Sequence, residues 1–261
     1  MPLTKFAKQK ILEHGLTQTA YVPANTSVWV VFFTSVTGLE DGTLTNEVTD
    51  LARTVMPFGA SSATTERTIL NSSAFSITAT VGGDVVTHWG LIDASTAGNL
   101  LFYDALGASR TTVAAADLDI EVSGFGIQWD QPGLVCFTKY FIDNMLDFMF
   151  VDPSATFTAP ASSYFSLHTA SSATGASEFV DAGYARVAAP LSAVTIVGSN
   201  AHIETNADVE WLNQQDTPAA QWSIFDASSA GNCIAFHDAT DEVVPSGSGI
   251  TLTSATATIE I

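Results

Sequence analysis

The clearest alternation in the chain is Asp117-Leu118-Asp119-Ile120-Glu121-Val122, with three carboxylates on one face and three aliphatics on the other. That is the pattern of a half-buried strand, and it predicts Leu118, Ile120 and Val122 in a core. Short β-branched and aromatic runs at 28–33, 75–81, 85–92, 100–103 and 118–122 are separated by Gly, Ser, Thr, Asn and Asp clusters, so this half of the chain reads as strands joined by turns. Helix is expected mainly at the start. Thr4 caps a segment with Phe6, Ala7, Ile11 and Leu12 on one side, and His14-Gly15 closes it.

The pattern is written twice. Trp89-Gly-Leu-Ile-Asp93-Ala-Ser-Thr-Ala-Gly98-Asn99 returns as Trp222-Ser-Ile-Phe-Asp226-Ala-Ser-Ser-Ala-Gly231-Asn232, and Leu51-Ala52-Arg53 returns at the same offset as Tyr184-Ala185-Arg186. Residues 29–34 match 164–169, and Ile120-Glu121-Val122 resembles Ile259-Glu260-Ile261. A period of this length is a domain, not a solenoid repeat. The reading is mainly β: two tandem antiparallel β-sandwich, jelly-roll-like domains, 1–133 and 134–261, each preceded by a short helix. Asp-Ala-Ser-x-Ala-Gly-Asn reads as a turn between strands, because Gly and Asn accept positive φ and Asp closes side-chain turns.

The second helix, over 140–149, carries Phe141, Met145, Phe148 and Met149 and has little polar face. A helix apolar on most sides must be covered on most sides, so these four residues are expected at a contact between domains or with another subunit.

Composition narrows the partners. The net charge is −19 because 27 acids face only 8 Lys plus Arg. Such a surface repels phosphate backbones and anionic bilayers, so neither nucleic acid nor membrane is an expected partner. The one cationic stretch, Lys5, Lys8 and Lys10, is either a solvated helix face or an arm that docks on an acidic partner. Cys136 and Cys233 stand at non-equivalent positions, which predicts buried free thiols instead of a disulfide. The start of the chain has no apolar stretch of the secretory kind.

Candidate chemistry is sparse. The sequence has no nucleophile elbow, zinc-protease helix, phosphate loop or dinucleotide fingerprint, so no catalytic residue, cofactor or metal is assigned and the chain is expected not to be an enzyme. The Asp117, Asp119 and Glu121 row could line an oxygen cage for calcium, but a solvated or charged edge face explains it better, since the sequence repeat sets Thr256 and Thr258 in the corresponding places of the second unit. Trp89 and Trp222 recur beside apolar neighbours and read as core. Trp129 and Trp211 have no counterpart and are the aromatics to consider as glycan contacts.

The order of these motifs, from the starting helix through Trp29-Val-Val-Phe-Phe-Thr34, Leu51-Ala-Arg53 and Asn71 to Thr87-His-Trp-Gly-Leu-Ile-Asp93-Ala-Ser-Thr-Ala-Gly-Asn, resembles small β-sandwich virion proteins of tailed bacteriophages. These are often labelled tail fibre or structural proteins. The resemblance implies a non-enzymatic virion part, made in the host cytoplasm, that decorates or cements the capsid or forms part of the tail. Its implied partners are other virion proteins and further copies of itself. The alternative is a receptor-binding fibre module that recognises host surface glycans.

Overall fold

The computed structural model describes residues 3–17, 19–23, 25–59, 68–128, 135–151, 157–172, 174–180, 183–211, 219–242, 249–255 and 257–261. The expected join near residue 133, and Trp129 with it, lies outside them. Two compact units are present, Met1–Lys10 with Val22–Asp130 and Met145–Phe157, and Ile11–Tyr21 with Gln131–Asn144 and Thr158–Ile261. The fold is mainly antiparallel β in both halves.

The first unit contains the opening turns of α1 (Lys5–Leu16), then β1 (Trp29–Phe33), β2 (Thr54–Val55), β3 (Thr68–Leu70), β4 (Phe75–Thr78), β5 (Val85–Ile92), β6 (Leu100–Thr111), β7 (Asp117–Ile120) and β8 (Gly126–Gln128). Its main sheet has the order β2-β1-β5-β6, and β3-β8 and β4-β7 form two further pairs. One side of the sheet buries Val31, Phe33, Leu39, Ile92 and Leu100 together. Phe32 and Trp89 are also buried, and Phe125 stacks face to face on Trp89 at 4.1 Å.

The second unit repeats this plan with β9 (Val135–Phe137), the opening of α2 (Lys139–Leu146), β10 (Tyr164–His168), β11 (Val187–Ala188), β12 (Thr195–Val197), β13 (Asn200–Glu204), β14 (Val209–Trp211), β15 (Ala219–Phe225), β16 (Cys233–Glu242), β17 (Ile250–Leu252) and β18 (Thr258–Glu260). Its main sheet is β11-β10-β15-β16-β9, beside β12-β13-β18 and β14-β17. A single turn of π-helix, Asp147–Val151, follows α2 and falls in the first unit. There Phe148, Met149 and Phe150 are buried in succession, and the wider π turn is the local change of helical register that follows the α-helical part.

Register shows which residues correspond. Phe75 opposite Ile120 and Ile77 opposite Leu118 match Val209 opposite Leu252 and Trp211 opposite Ile250. Ile127 on β8 matches Ile259 on β18. The likeness of 120–122 to 259–261 is therefore one of composition, not of position. The strand also ends sooner than its alternation suggests: Ile120 is buried, but Ser123 takes φ 59° and Val122 is left exposed.

Each helix is tied to its sheet by the threonine before it. The Thr4 Oγ1 accepts the Ala7 amide at 3.2 Å and donates to the Leu100 carbonyl at 2.5 Å. Thr138 does the same, accepting from the Phe141 amide at 3.3 Å and donating to the Cys233 carbonyl. One hydroxyl thus caps the helix and fixes its starting point on β6 or β16. Gly15, expected to stop α1, lies inside it. A Cβ there would stand 2.3 Å from the Phe141 ring, so the glycine is present for close approach, not for a left-handed turn.

Replacing Thr4 or Thr138 by Val removes the cap and leaves a buried carbonyl short of a donor, which should cost about 2 kcal/mol in either unit. Urea denaturation of each variant checks this, and Thr→Ser is expected to restore most of the loss.

Candidate functional site

The duplicated turn is the most constrained polar feature in both units. Between β5 and β6, the Asn99 amide donates to Asp93 Oδ1 at 2.6 Å and the Asn99 side chain donates to Oδ2 at 2.9 Å. Between β15 and β16, Asn232 holds Asp226 in the same way, at 2.7 and 2.9 Å. The loop closes through Ala97 at φ 53° and Gly98 at φ 86°, and through Ala230 at φ 52° and Gly231 at φ 73°. A Cβ on Gly98 would meet Asp93 Oδ1 at 2.7 Å, so the Asx lock itself demands glycine.

An arginine closes each turn from behind. Arg53 donates from Nε and Nη2 to the two Glu47 carboxylate oxygens at 2.7 and 2.8 Å, and from Nη1 to the Ala94 and Ala97 carbonyls at 3.2 and 2.6 Å. Arg186 donates to both Glu178 oxygens at 2.8 and 2.7 Å, and to the Ala227 and Ala230 carbonyls. The planar fork of guanidinium fits this task, because one edge grips a carboxylate while the remaining nitrogen satisfies two carbonyls. The Glu47 hydrogen bond raises the Arg53 pKa.

The second unit adds two parts. Tyr184, where the first unit has Leu51, donates to Glu178 at 3.0 Å and accepts the Leu167 amide at 3.0 Å. The Arg186 guanidinium lies 3.5 Å from the centre of the Phe225 ring. Burial pushes the Glu178 carboxyl up, but hydrogen bonds from Arg186 and Tyr184 more than reverse it, and the net shift is downward.

The repeat pairs these arginines by position, and nothing local in the sequence marks their task. The available signal was scarcity. The chain has four Arg in all, and two of them stand at one repeat position at the same 133-residue offset as the turn they close.

The residues named from sequence fall elsewhere. Lys5 pairs with Asp41 at 2.7 Å, Lys10 lies over the Phe6 ring, and Lys8 is half-buried. Phe141, Met145, Phe148 and Met149 are all buried within the chain itself, so they have no open face. Trp211 is 2% exposed and occupies the core position of Ile77. This corrects its reading as a glycan contact, since a ring this buried is not open to a sugar. Asp117 and Asp119 point their Oδ1 atoms at the Thr78 and Ser76 hydroxyls, and no group of ligating side chains suited to a metal occurs among the described residues. Cys233 is a buried free thiol whose pKa burial pushes up to about 12.

One Ser–His pair lies inside the second unit. His168 Nδ1 faces the Ala176 carbonyl at 3.0 Å, which can only accept, so Nε2 accepts from the Ser166 hydroxyl at 2.8 Å. Both residues have no exposed surface. Gln221 continues the network to Ser223 and to the backbone of Ser172. This is a satisfied polar core, closed to any substrate.

Against this geometry, comparison with known families is decisive. Residues 2–128 and 137–260 match the family model described as podophage GP4 fiber I protein gp80. The chain belongs to that family. A search of curated proteins gives no match. Membership in the podophage fibre family makes the chain a structural protein of the phage virion. The matched residues contain both arginine-closed turns, so the frame described above is a feature of the chain's family-like portions.

Arg53→Lys or Arg186→Lys keeps the charge but loses the fork and at least one carbonyl contact. Each should destabilise its unit by about 3 kcal/mol in urea denaturation.

Acid should weaken the second unit. Burial lowers the His168 pKa, with Glu178 and the Ala176 carbonyl opposing this and Arg186 adding to it. The unfolded chain then takes up the proton first. Stability is fully present above about pH 6.5 and is lost as pH falls from there through the folded value. The depressed Glu178 adds a further loss of the same sign below the ordinary carboxylate range. Thermal melts between pH 7.5 and about pH 3.5 should show this slope, and His168→Gln should remove its upper part.

Proposed function

We propose that this member of the podophage fibre family is a non-enzymatic building block of the tail apparatus that acts through protein–protein contacts. The observation that carries this reading is the repeated arginine-closed frame. In both units the strongest polar side chains are spent on holding exposed turns in one shape, which is what a load-bearing part of a particle requires and a turnover site does not. The acidic, lysine-poor exterior supports it too, since it keeps such a part away from packaged DNA. Decoration or cementing of the capsid is the neighbouring reading, and the fibre description of the family favours the tail over it. Recognition of host glycans draws less support because Trp211 is interior.

Immunogold labelling of intact particles with antibody against the chain tests the proposal. Gold at the tail is expected. Gold spread over the head would replace it with capsid decoration, and glycan-array binding that Trp129→Ala abolishes would replace it with receptor recognition.

A further inference from the structure

The sheet of the first unit is interrupted where β6 leaves β5. Val85 pairs with Thr111 and Val86 with Arg110, but the next pair is His88 with Ala105, so residues 106–109 bulge out opposite Thr87. The bulged strand and β7 line two cavities of about 340 and 430 Å³ that share Arg110, Leu118 and Asp119. Phe32, Ile120 and Phe125 give one an apolar floor, and Leu51, Ala79 and Val86 do so for the other. All six are buried.

Two further observations define what fits. Among the described residues β7 pairs only with β4, and β6 beyond Ala105 pairs only with β5, so each strand keeps one unpaired edge of backbone donors and acceptors. An extended polypeptide satisfies such edges by adding a strand, and a compact ligand does not. The charge of the rim is one-sided as well. Asp117, Asp119 and Glu121 face a single cation, Arg110. The two aspartates are steadied by hydrogen bonds from Thr78 and Ser76, which leaves their second oxygens for a cationic partner. A second copy, with its net charge of −19, is a poor match for this rim.

We propose that this cleft receives an extended, Lys- or Arg-bearing segment of another virion protein as an added strand between β6 and β7. The proposal rests on the structural reading above and names the chemistry of the partner. Alternate side chains of the segment enter the apolar floor while the intervening cations meet Asp117, Asp119 and Glu121.

The test uses the full chain and a synthetic ten-residue peptide of alternating Val and Lys, followed by hydrogen-exchange mass spectrometry. Slowed exchange confined to 105–111 and 117–122 is expected. Binding should weaken at least tenfold in the Asp117→Lys/Asp119→Lys double variant and on raising salt from 50 to 500 mM, about the range over which exposed charge pairs become screened. Because the double variant also loses two hydroxyl contacts, Ala108→Trp on the exposed bulge serves as an independent block, and it should abolish protection without shifting the melting temperature. No protection, protection elsewhere, or equal binding of a Val–Glu peptide overturns the proposal. Protection of the same segments by host surface oligosaccharide but not by the peptide overturns it in favour of a glycan site. Gold at the tail combined with no peptide protection would reject the cleft alone, whereas chain absent from the particle would reject the structural reading itself.

Discussion

Everything rigid about the exposed face of each unit depends on one guanidinium. The turns at 93–99 and 226–232 have two residues each at positive φ, one of them an alanine, and such backbone is costly unless its surroundings dictate it. Arg53 and Arg186 supply that constraint by binding carbonyls on both sides of the turn while a glutamate from the opposite segment fixes the arginine. The turn, the strand pair beneath it and the loop that carries the glutamate are therefore one cooperative piece. Little of this is surface electrostatics, since the Arg53–Glu47 pair is nearly nine-tenths buried on each side.

Much of this arrangement was legible in the chain. The alternation at 117–122, the β-branched runs and the Thr4 cap each report a local preference, and local preferences survived into β7, β1, β5 and α1. The doubled Asp-Ala-Ser-x-Ala-Gly-Asn was readable as a turn because its chemistry is contained within seven residues. What closes it was not, because Arg53 acts 41 and 44 positions away and nothing local marks a long-range hydrogen bond. Gly15 misled for a similar reason. A glycine near a helix end is usually a cap, and only the Phe141 ring, distant in sequence, reveals that it is a gap left for another side chain. Trp211 misled through alignment. Its counterpart Ile77 emerges from strand register, which sequence spacing did not convey.

The two units share a frame but fill it differently. Where the first has Val31 and Phe33 on β1, with Gly90 making room for the Phe33 ring, the second has Ser166 and His168 facing Ser223 and Gln221. Hydrocarbon in the first unit is exchanged for polar groups in the second. A hydrocarbon contact tolerates small displacements, whereas the Ser–His–Gln network requires each donor to meet its acceptor, so the second unit has the more specified and the more acid-sensitive interior. Tyr184 and the Phe225 ring around Arg186 follow the same trend.

The locked arginines also govern how the chain meets proteases. Trypsin must draw a cationic side chain into a narrow pocket with several flanking residues extended. Arg53 and Arg186 have their guanidiniums held by a carboxylate and two carbonyls each, and Lys5 and Lys139 are paired with Asp41 and Asp143. These four cations are thus occupied in the folded state, and cutting at either arginine first requires its turn to come apart. A particle component that meets proteases gains endurance from the same bonds that give it shape.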